Sequence, residues 1–395
     1  MNILGFLAFV VALLFSVMVH EFGHFITARK FGMKVTEFFL GFGKKLWSFT
    51  RGETEFGIKA IPAGGYCRIV GMSVHEEMSV EDSPRAFYTA SVPKRLIVLG
   101  AGSFLHFVLG FLAIFILLTG VGTTVTTNVV GSVAQCLTPA TSTCTKSDTP
   151  SPASAAGIRP GDKVLAINGV EIKDWPSAVT KIRASAGRTL ILTIERGGVQ
   201  SQIRVTPAAR KLDGKTVGQV GLINKLGNKR VNPISAIQQS SDISRQLFTS
   251  SISSLVKLPM KVVPLFKQTF GNEKRDPQGL VGVVGIARVS AQTASDPHLG
   301  TSEKIATFLL IVASLNIFVG IFNLLPLLPM DGGHIAVALA DGVRRIWARR
   351  RGRSAPAPID VEKLTPITIV VFVLLVALSL LLLAADIFNP VQLNL

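Results

Sequence analysis

Four long apolar runs dominate the pattern of hydrophobic and polar residues along the chain. Each run has close to twenty residues, which is the length that a helix needs to cross the hydrocarbon core of a bilayer. The runs cover residues 3–28, 96–121, 305–328 and 367–385. They are continuous blocks rather than stripes of period 3.6, so the pattern predicts four transmembrane helices.

Between the runs the pattern becomes mixed. Residues 31–93 contain short alternating segments with glycines between them, which predicts strands and turns close to the membrane. Residues 231–269 mix apolar residues with lysines and prolines, as broken amphipathic helices at a membrane surface do. We therefore divide the chain into segments with the bounds 1–30, 31–93, 94–121, 122–208, 209–303, 304–340, 341–365 and 366–395.

Composition supports a membrane protein and excludes one alternative. Of the 395 residues, 48% are hydrophobic and only 16% are charged. The net charge of +17 would suit a nucleic-acid-binding protein. However, the Lys and Arg residues mostly flank the apolar runs, where basic residues of membrane proteins concentrate. The charge is therefore interpreted as a sign of contact with the lipid bilayer, and no nucleic-acid partner is expected.

The distribution of Lys and Arg also predicts the orientation. The loops in segments 31–93 and 341–365 are rich in both residues, whereas the N-terminal tip and the tail after the fourth run have neither. The positive-inside rule places these two loops in the cytoplasm and both termini outside it. Segment 122–303 is then extracytoplasmic in a multi-pass protein of the plasma, or inner, membrane.

A pair of histidines lies in the later part of the first run, which there reads His20-Glu21-Phe22-Gly23-His24. Histidines four residues apart share one face of a helix and can bind one metal ion, and the glutamate is suited to act as a general base. Ionisable residues are costly inside a span and indicate a functional site. The alternative is two histidines bonded to backbone or water, but the metalloprotease spacing favours a metal site.

The end of the third run offers one more ligand. The residues from Asn323 to His334 read N-L-L-P-L-L-P-M-D-G-G-H, with Asp331 as the carboxylate. The first and third runs cross the membrane in the same direction, so Asp331 is expected at a depth similar to that of the histidines. Two imidazoles, one carboxylate and an open fourth position are typical of catalytic zinc. A carboxylate in a polar helix cap is the alternative for Asp331.

The two motifs together, H-E-F-G-H and N-x-x-P-x-x-P-x-D-G, resemble the site-2 protease family, the zinc metalloproteases of regulated intramembrane proteolysis. The resemblance implies that His20, His24 and Asp331 bind one Zn²⁺ ion and that Glu21 is the catalytic acid/base. It implies a contact with the substrate or the developing oxyanion for Asn323. It also implies that the strands of segment 31–93 form a membrane-associated β-hairpin loop, whose free edge would hold an unwound substrate, or else an ordinary cytoplasmic hairpin.

The second run departs from the pattern of many relatives, which have a G-x-x-x-N motif there. In this chain Gly102 is followed at that offset by His106. An imidazole can hydrogen-bond as the amide would, so we expect His106 to face the substrate, to support the ligands or to pack. A direct metal bond is less favoured, because Asp331 already completes the site.

Residues 151–170 read S-P-A-S-A-A-G-I-R-P-G-D-K-V-L-A-I-N-G-V, which resembles a PDZ domain. We expect a short helix that ends at Gly157, a helix over 175–186, and strands over 163–167, 170–172, 189–196 and 201–206. This α+β domain either binds extended chains by strand addition or excludes bulky ectodomains by size. Cys136 and Cys144 nearby form a disulfide or remain two free thiols.

The sequence thus predicts an α-helical polytopic membrane protein with an inserted PDZ-like domain. The resemblance implies cleavage within transmembrane segments of single-span proteins, such as anti-sigma factors in a stress response or remnants of signal peptides. An upstream site-1 protease would first remove the ectodomain. Two alternatives are a polytopic metal transporter and a catalytically dead scaffold that bears the PDZ-like domain. A transporter does not require the general base, and a dead scaffold does not require all four catalytic positions to be filled.

Overall fold

The computed structural model describes residues 3–137, 144, 148, 150–212, 215–271, 273–276, 279–296, 299–354 and 356–391. The chain divides into two compact units. Met1–Val121 and Val231–Leu395 together form the first, which we call the membrane unit. Gly122–Arg230 forms the second, which we call the inserted unit.

The elements follow one another along the chain with these bounds. The helices are α1 (Ile3–Lys30), α2 (Val92–Ile116), α3 (Pro152–Ala155), α4 (Trp175–Arg183), α5 (Pro233–Phe270), α6 (Val283–Ser295), α7 (Thr301–Asn323), α8 (Asp331–Arg350) and α9 (Thr365–Phe388). The strands are β1 (Val35–Arg51), β2 (Thr54–Ile69), β3 (Thr123–Val133), β4 (Lys163–Ile167), β5 (Val170–Glu171), β6 (Leu190–Arg196), β7 (Val199–Val205), β8 (Ala208–Leu212), β9 (Lys215–Gln219) and β10 (Leu222–Lys229).

Four helical stretches among the described residues are long and apolar enough to cross a membrane. They are Ile3–Lys30, Val92–Val121, Thr301–Asn323 and Val361–Phe388, and they match the four predicted runs. In the last of them, the most apolar window has no residue buried within the protein. That is the exposure expected of a helix whose sides face lipid, so the fold fits a polytopic membrane protein.

The third span is shorter than predicted, because α7 ends at Asn323 rather than near residue 328. Pro326 and Pro329 explain the break, since proline has no N–H to donate and restricts the residue before it. The chain turns and then begins α8 at Asp331. Segment 304–340 is therefore two helices, and Asp331 lies in the first turn of the second helix.

A buried ion pair holds α8 against α2. Arg95 Nη1 lies 3.1 Å from Asp341 Oδ2, and both side chains are almost completely buried. The second carboxylate oxygen of Asp341 accepts a hydrogen bond from the Ile359 N–H at 2.8 Å. Since α8 continues to Arg350, the first basic residues of the predicted loop 341–365 lie on a helix.

Strands β1 and β2 are long enough to bend and pair twice. Residues 37–40 pair with 65–68 on one side and with 55–58 on the other, and residues 45–51 pair with 54–59. The result is a four-stranded mixed sheet, in which 37–40 and 55–58 run parallel and the other pairs run antiparallel, and 65–69 is one outer segment. Among the described residues no further strand pairs with this sheet.

Helix α5 differs from the broken helices that the sequence predicted. It is one helix from Pro233 to Phe270 that includes Pro259 and Pro264. Its fully buried Ala236 belongs to an apolar cluster with residues of α2 and α7. The ring of Phe248 lies 5.8 Å from that of Phe107 in α2. Contacts with its neighbours thus outweigh the local cost of two prolines.

The inserted unit has a sheet with the strand order β10-β3-β4-β6-β7, and β5 pairs with β4. Its core includes Val164, Ile167 and Leu192 from the strands and Trp175 and Ile182 from α4. The predicted strands and the predicted helix over 175–186 are present, with small differences at their ends. The unit reaches Arg230 rather than 208, because β10 pairs with β3.

Two side-chain links stabilise the inserted unit. Cys136 and Cys144 form a disulfide, with Cα atoms 6.0 Å apart, which is one of the two states predicted. Asp162 is fully buried, and its two carboxylate oxygens accept hydrogen bonds from Arg196 at 2.6 and 2.7 Å. The Arg196 hydrogen bonds hold the pKa of Asp162 below its usual range despite the burial of this carboxyl group.

Candidate metal centre

The centre is built on the buried face of α1. His20 and His24 are each 7% exposed and lie one helical turn apart. Their Nε2 atoms are 3.1 Å from each other. The same helix brings both imidazoles to one point because residues i and i+4 lie on one face.

The start of α8 brings a carboxylate to the same point. Asp331 Oδ2 lies 3.2 Å from His20 Nε2 and 3.4 Å from His24 Nε2. The turn before it is very tight, since a Cβ at Gly332 would collide with the backbone of Leu324 and Leu325. Glycine at this position therefore lets the turn place Asp331 beside α1.

The three atoms suit a zinc ion. Zn–N and Zn–O bonds of about 2.0–2.2 Å in a tetrahedral site separate neighbouring ligands by roughly 3.3 Å. The distances of 3.1, 3.2 and 3.4 Å fit that arrangement. Asp331 Oδ2 is buried and has no hydrogen-bond partner among the described residues. A buried oxygen without a partner is costly, and a bound cation would remove that cost.

Helix α2 sets the orientation of His24. The Nδ1 atom of His24 lies 2.8 Å from the carbonyl oxygen of Val98. A carbonyl can only accept, so Nδ1 carries the proton and Nε2 is left with a lone pair for a metal. A hydrogen bond of this kind on the far nitrogen is the usual support of a metal-binding histidine.

Gly102 of α2 makes room for both imidazoles. A Cβ at this position would lie 2.5 Å from His20 Cε1 and 2.6 Å from His24 Nε2. Gly23 of α1 allows the same close approach from the other side, since a Cβ there would lie 2.7 Å from the Ala101 carbonyl oxygen. The glycine of the G-x-x-x-H pattern therefore has a steric role at the centre.

Glu21 lies next to the candidate ligands and close to the sheet. It is half-buried, and a Cβ at Gly65 of β2 would lie 3.4 Å from its Cγ. Burial raises the pKa of the nearby Cys67 thiol far above its usual range, and the Glu21 carboxylate adds to this effect. Cys67 is therefore a neutral thiol beside the Glu21 carboxylate.

A row of hydrogen-bonded polar side chains lies next to the centre, and the sequence singled out only His106 among them. His106 is buried, and its ring centroid lies 5.0 Å from that of His20. Its Nδ1 is 2.8 Å from Oδ1 of Asn316 in α7, and Asn316 in turn reaches Ser16 of α1. His106 is not part of the group of ligand atoms that meet at one point. The signal that would have revealed Asn316 is an amide in the middle of an apolar run.

Asn323 and His334 flank the turn that carries Asp331. Asn323 is the last residue of α7 and is half-buried, and its side chain makes no hydrogen bond among the described residues. His334 is half-buried on α8, one turn after Asp331. The structure thus brings His20, His24 and Asp331 together and leaves these two side chains outside the ligand group.

Hydrogen bonds between side chains stabilise the sheet beside Glu21. Lys59 donates to the hydroxyl oxygen of Tyr66, and Tyr66 donates to Glu37. The hydrogen bond from Tyr66 holds the pKa of Glu37 below its usual range. The outer segment that follows Gly65 is therefore held in place by a charged network rather than by apolar packing alone.

Comparisons with known proteins define the class of this protein. The model of peptidase family M50 matches residues 8–361. The chain belongs to this family, the site-2 proteases, and is an enzyme of the peptidase class. The predicted family and the predicted enzyme class are thus confirmed.

Individual relatives cover nearly the same length. The chain is 36% identical to zinc metalloprotease Rip1 of Mycobacterium tuberculosis, over 100% of this chain and 99% of the relative. It is 27% identical to the regulator of sigma-E protease RseP of Salmonella typhimurium, over 83% and 88% of the two chains. It is 29% identical to the probable membrane metalloprotease ARASP2 of Arabidopsis thaliana, over 87% and 72%.

Proposed function

We propose that this protein is a zinc metalloprotease that hydrolyses peptide bonds inside the transmembrane segments of single-span membrane proteins. The observation that carries the proposal is the convergence of His20, His24 and Asp331 next to Glu21. The two histidines and Glu21 lie on α1, a helix long enough to span a bilayer, and Asp331 lies in the first turn of α8. Membership of peptidase family M50 supports the reaction class. The relative Rip1 is named a zinc metalloprotease, which supports the predicted cofactor.

His20 and His24 would hold the zinc ion through Nε2, and Asp331 through Oδ2. When bound, zinc supplies Lewis-acid polarisation of the scissile carbonyl and makes a water molecule more acidic. Glu21 accepts the proton of the attacking water and returns it to the amine that leaves. Glu21 is placed for this role because it follows His20 directly and is not bound into an ion pair among the described residues.

The substrate must be extended before water can attack it. A helix satisfies its own backbone hydrogen bonds, so cleavage requires local unwinding, which favours segments with helix-breaking residues. The outer segment 65–69 of the sheet runs past Glu21 and offers an edge to which an unwound chain can add as a strand. Asn323, whose amide has no partner among the described residues, is proposed to contact the substrate or the oxyanion.

The substrates that we propose are remnants of anti-sigma factors or of signal peptides. One relative is named a regulator of sigma-E protease, which fits that class. We propose the plasma membrane as the location, with the basic loops in the cytoplasm and the inserted PDZ-like unit outside it. A prior cut by an upstream protease would remove the ectodomain, and the PDZ-like unit would then bind the remainder or admit it by size.

The test is Glu21→Gln in purified full-length protein. The reporter is a synthetic single-span peptide with a central Gly-Ser-Gly, reconstituted in liposomes. We expect zinc content equal to that of the wild type and cleavage reduced by more than about 1,000-fold, because the general base is lost. Glu55→Gln is the matched control, at a half-buried glutamate of β2 outside the group of ligand atoms, and should cleave normally. Unchanged cleavage by Glu21→Gln would disprove the mechanism.

A metal transporter is the second candidate that the sequence left open. The described residues contain one group of ligand-type side chains at the spans and another, His75, Asp360 and Glu362, on the exposed surface. A transport path would need further ligands along the membrane, so the single central group favours the protease. Zinc flux into liposomes by the wild-type protein without cleavage of the reporter would favour the transporter.

A further inference from the structure

A chain of buried polar side chains connects three spans next to the metal centre. Ser16 of α1 is 3% exposed, His106 of α2 is 2% exposed, and Asn316 of α7 is fully buried. Asn316 Nδ2 lies 3.0 Å from Ser16 Oγ, and Asn316 Oδ1 lies 2.8 Å from His106 Nδ1. Polar groups at this depth are costly, so a fully connected set indicates a role.

The hydrogen bonds determine which way the Asn316 amide points. Its Nδ2 donates to Ser16 Oγ and also to the carbonyl oxygen of Val312, at 2.8 Å. Ser16 can accept because its own hydroxyl donates to the carbonyl oxygen of Ala12. Both protons of the amide nitrogen are thereby used, and Oδ1 faces His106 as an acceptor.

The tautomer of His106 follows from that orientation. Since Asn316 Oδ1 can only accept, His106 Nδ1 must donate and carries the proton. In the neutral ring Nε2 is then a hydrogen-bond acceptor. The His106 ring lies 5.0 Å, between centroids, from the ring of His20, so it is adjacent to one of the candidate ligands.

We propose that Asn316 is a positioning residue for the peptidase reaction and that it acts through His106. By fixing the Nδ1–H tautomer, it leaves His106 Nε2 to accept a hydrogen bond from the attacking water. The water has two protons. Glu21 takes one, and the hydrogen bond to His106 orients the other so that an oxygen lone pair faces the scissile carbonyl. This inference rests on the proposed function.

The first experiment compares Asn316→Leu with the wild type on the synthetic single-span peptide in liposomes. We expect kcat to fall by about 10–100-fold, as for other residues that orient groups at a metal site, while KM and zinc content stay unchanged. Asn316→Asp keeps an acceptor for His106 and should remain within a few-fold of the wild type. Ser379→Leu is the matched control, because Ser379 is an exposed polar residue of α9 that bonds only to Leu375.

A double-mutant cycle separates positioning from general stability. In a His106→Phe background, which has no ring nitrogen, Asn316→Leu should cost almost nothing further. An equal loss of kcat in both backgrounds would overturn the proposal, and so would an unchanged kcat in Asn316→Leu alone. If Asn316→Leu does not accumulate in the membrane, Asn316→Ser replaces it in the same double-mutant cycle.

A measurement that does not depend on catalysis tests this inference separately from the proposed function. In protein labelled with ¹⁵N-histidine, nitrogen shifts should show the Nδ1–H tautomer for His106 in the wild type and a mixture of tautomers in Asn316→Leu. A wild type that shows this tautomer but cleaves nothing would disprove the proposed function alone. A wild type that cleaves but has His106 protonated on Nε2 would disprove this inference alone.

Discussion

Asp331 of the membrane unit and Asp162 of the inserted unit both have carboxylates that are largely shielded from solvent, but they differ in their hydrogen-bond partners. Asp162 receives two hydrogen bonds from Arg196 and one from the Arg159 N–H at 2.8 Å. Asp331 has no arginine partner among the described residues, and its Oδ2 faces two imidazole nitrogens.

The difference distinguishes a buried carboxylate that stabilises the fold from one that is available to bind a ligand. A protected carboxylate that is fully hydrogen-bonded contributes to the fold, and removing its partner leaves an uncompensated charge. A carboxylate with an oxygen that lacks a partner is a cost to the fold, and it is retained where a ligand supplies the missing contact. Mutations at the two sites should therefore affect different measurements.

The largest effect is expected from Asp331→Asn. Loss of the charged ligand should lower zinc affinity by at least about 100-fold, because a neutral amide oxygen is a poor zinc ligand. Metal analysis of purified protein in a series of chelator concentrations measures this. Asp162→Asn should keep its zinc in the same series. Equal zinc retention by the two variants would contradict the assignment of Asp331 to zinc binding and of Asp162 to the fold.

Gly102→Ala should disturb the centre without removing a ligand. The new Cβ would lie 2.5–2.6 Å from ring atoms of His20 and His24, so the rings or the helices must shift. We expect zinc affinity or cleavage of the reporter to fall by about 10–100-fold, as when support of the ligands is lost.

Gly100→Ala is the control on the same helix. Nothing lies within 4 Å of a Cβ at that position, and alanine favours a helix. Cleavage and zinc affinity should match the wild type. A loss in Gly100→Ala equal to that in Gly102→Ala would show that the effect comes from α2 as a whole and not from the imidazoles.

Asp162→Asn should affect the stability of the inserted unit. The variant loses the ion pair with Arg196, whose side chain is 40% exposed, so we expect a cost of about 2 kcal/mol. Hydrogen exchange of residues 122–230 in the full-length protein measures it. Faster exchange in the membrane unit alone would contradict the prediction.

The smallest effect is expected in the pH dependence of the stability of the inserted unit. The Arg196 hydrogen bonds lower the pKa of Asp162 in the folded state. Its contribution is present above the unfolded value of about 3.9 and is lost as pH falls through the lower folded value. The protection factors of residues 122–230, which compare measured with intrinsic exchange rates, should fall more steeply below pH 4 in the wild type than in Asp162→Asn. The same slope in both proteins would contradict this assignment.

Local patterns were sufficient for much of the fold. Apolar runs of twenty residues can only be satisfied by spanning helices, and the PDZ-like segment contains turns and alternation that predict its strands. The ends of elements were less certain, as at Asn323, where prolines end the helix before the apolar run ends. The pairing of β10 with β3, which extends the inserted unit to Arg230, joins segments that are distant along the chain.

The candidate ligands were readable from the sequence because the i, i+4 spacing of His20 and His24 is a property of one helix, and Asp331 follows from two motifs. Only the tertiary structure decided that the three ligand atoms lie 3.1–3.4 Å apart. It also revealed Asn316 and the steric role of Gly102, since both act across helix contacts. Spacing along the sequence predicts which side chains share one face of a helix. Distances between elements depend on how the elements pack, and packing is a property of the whole chain.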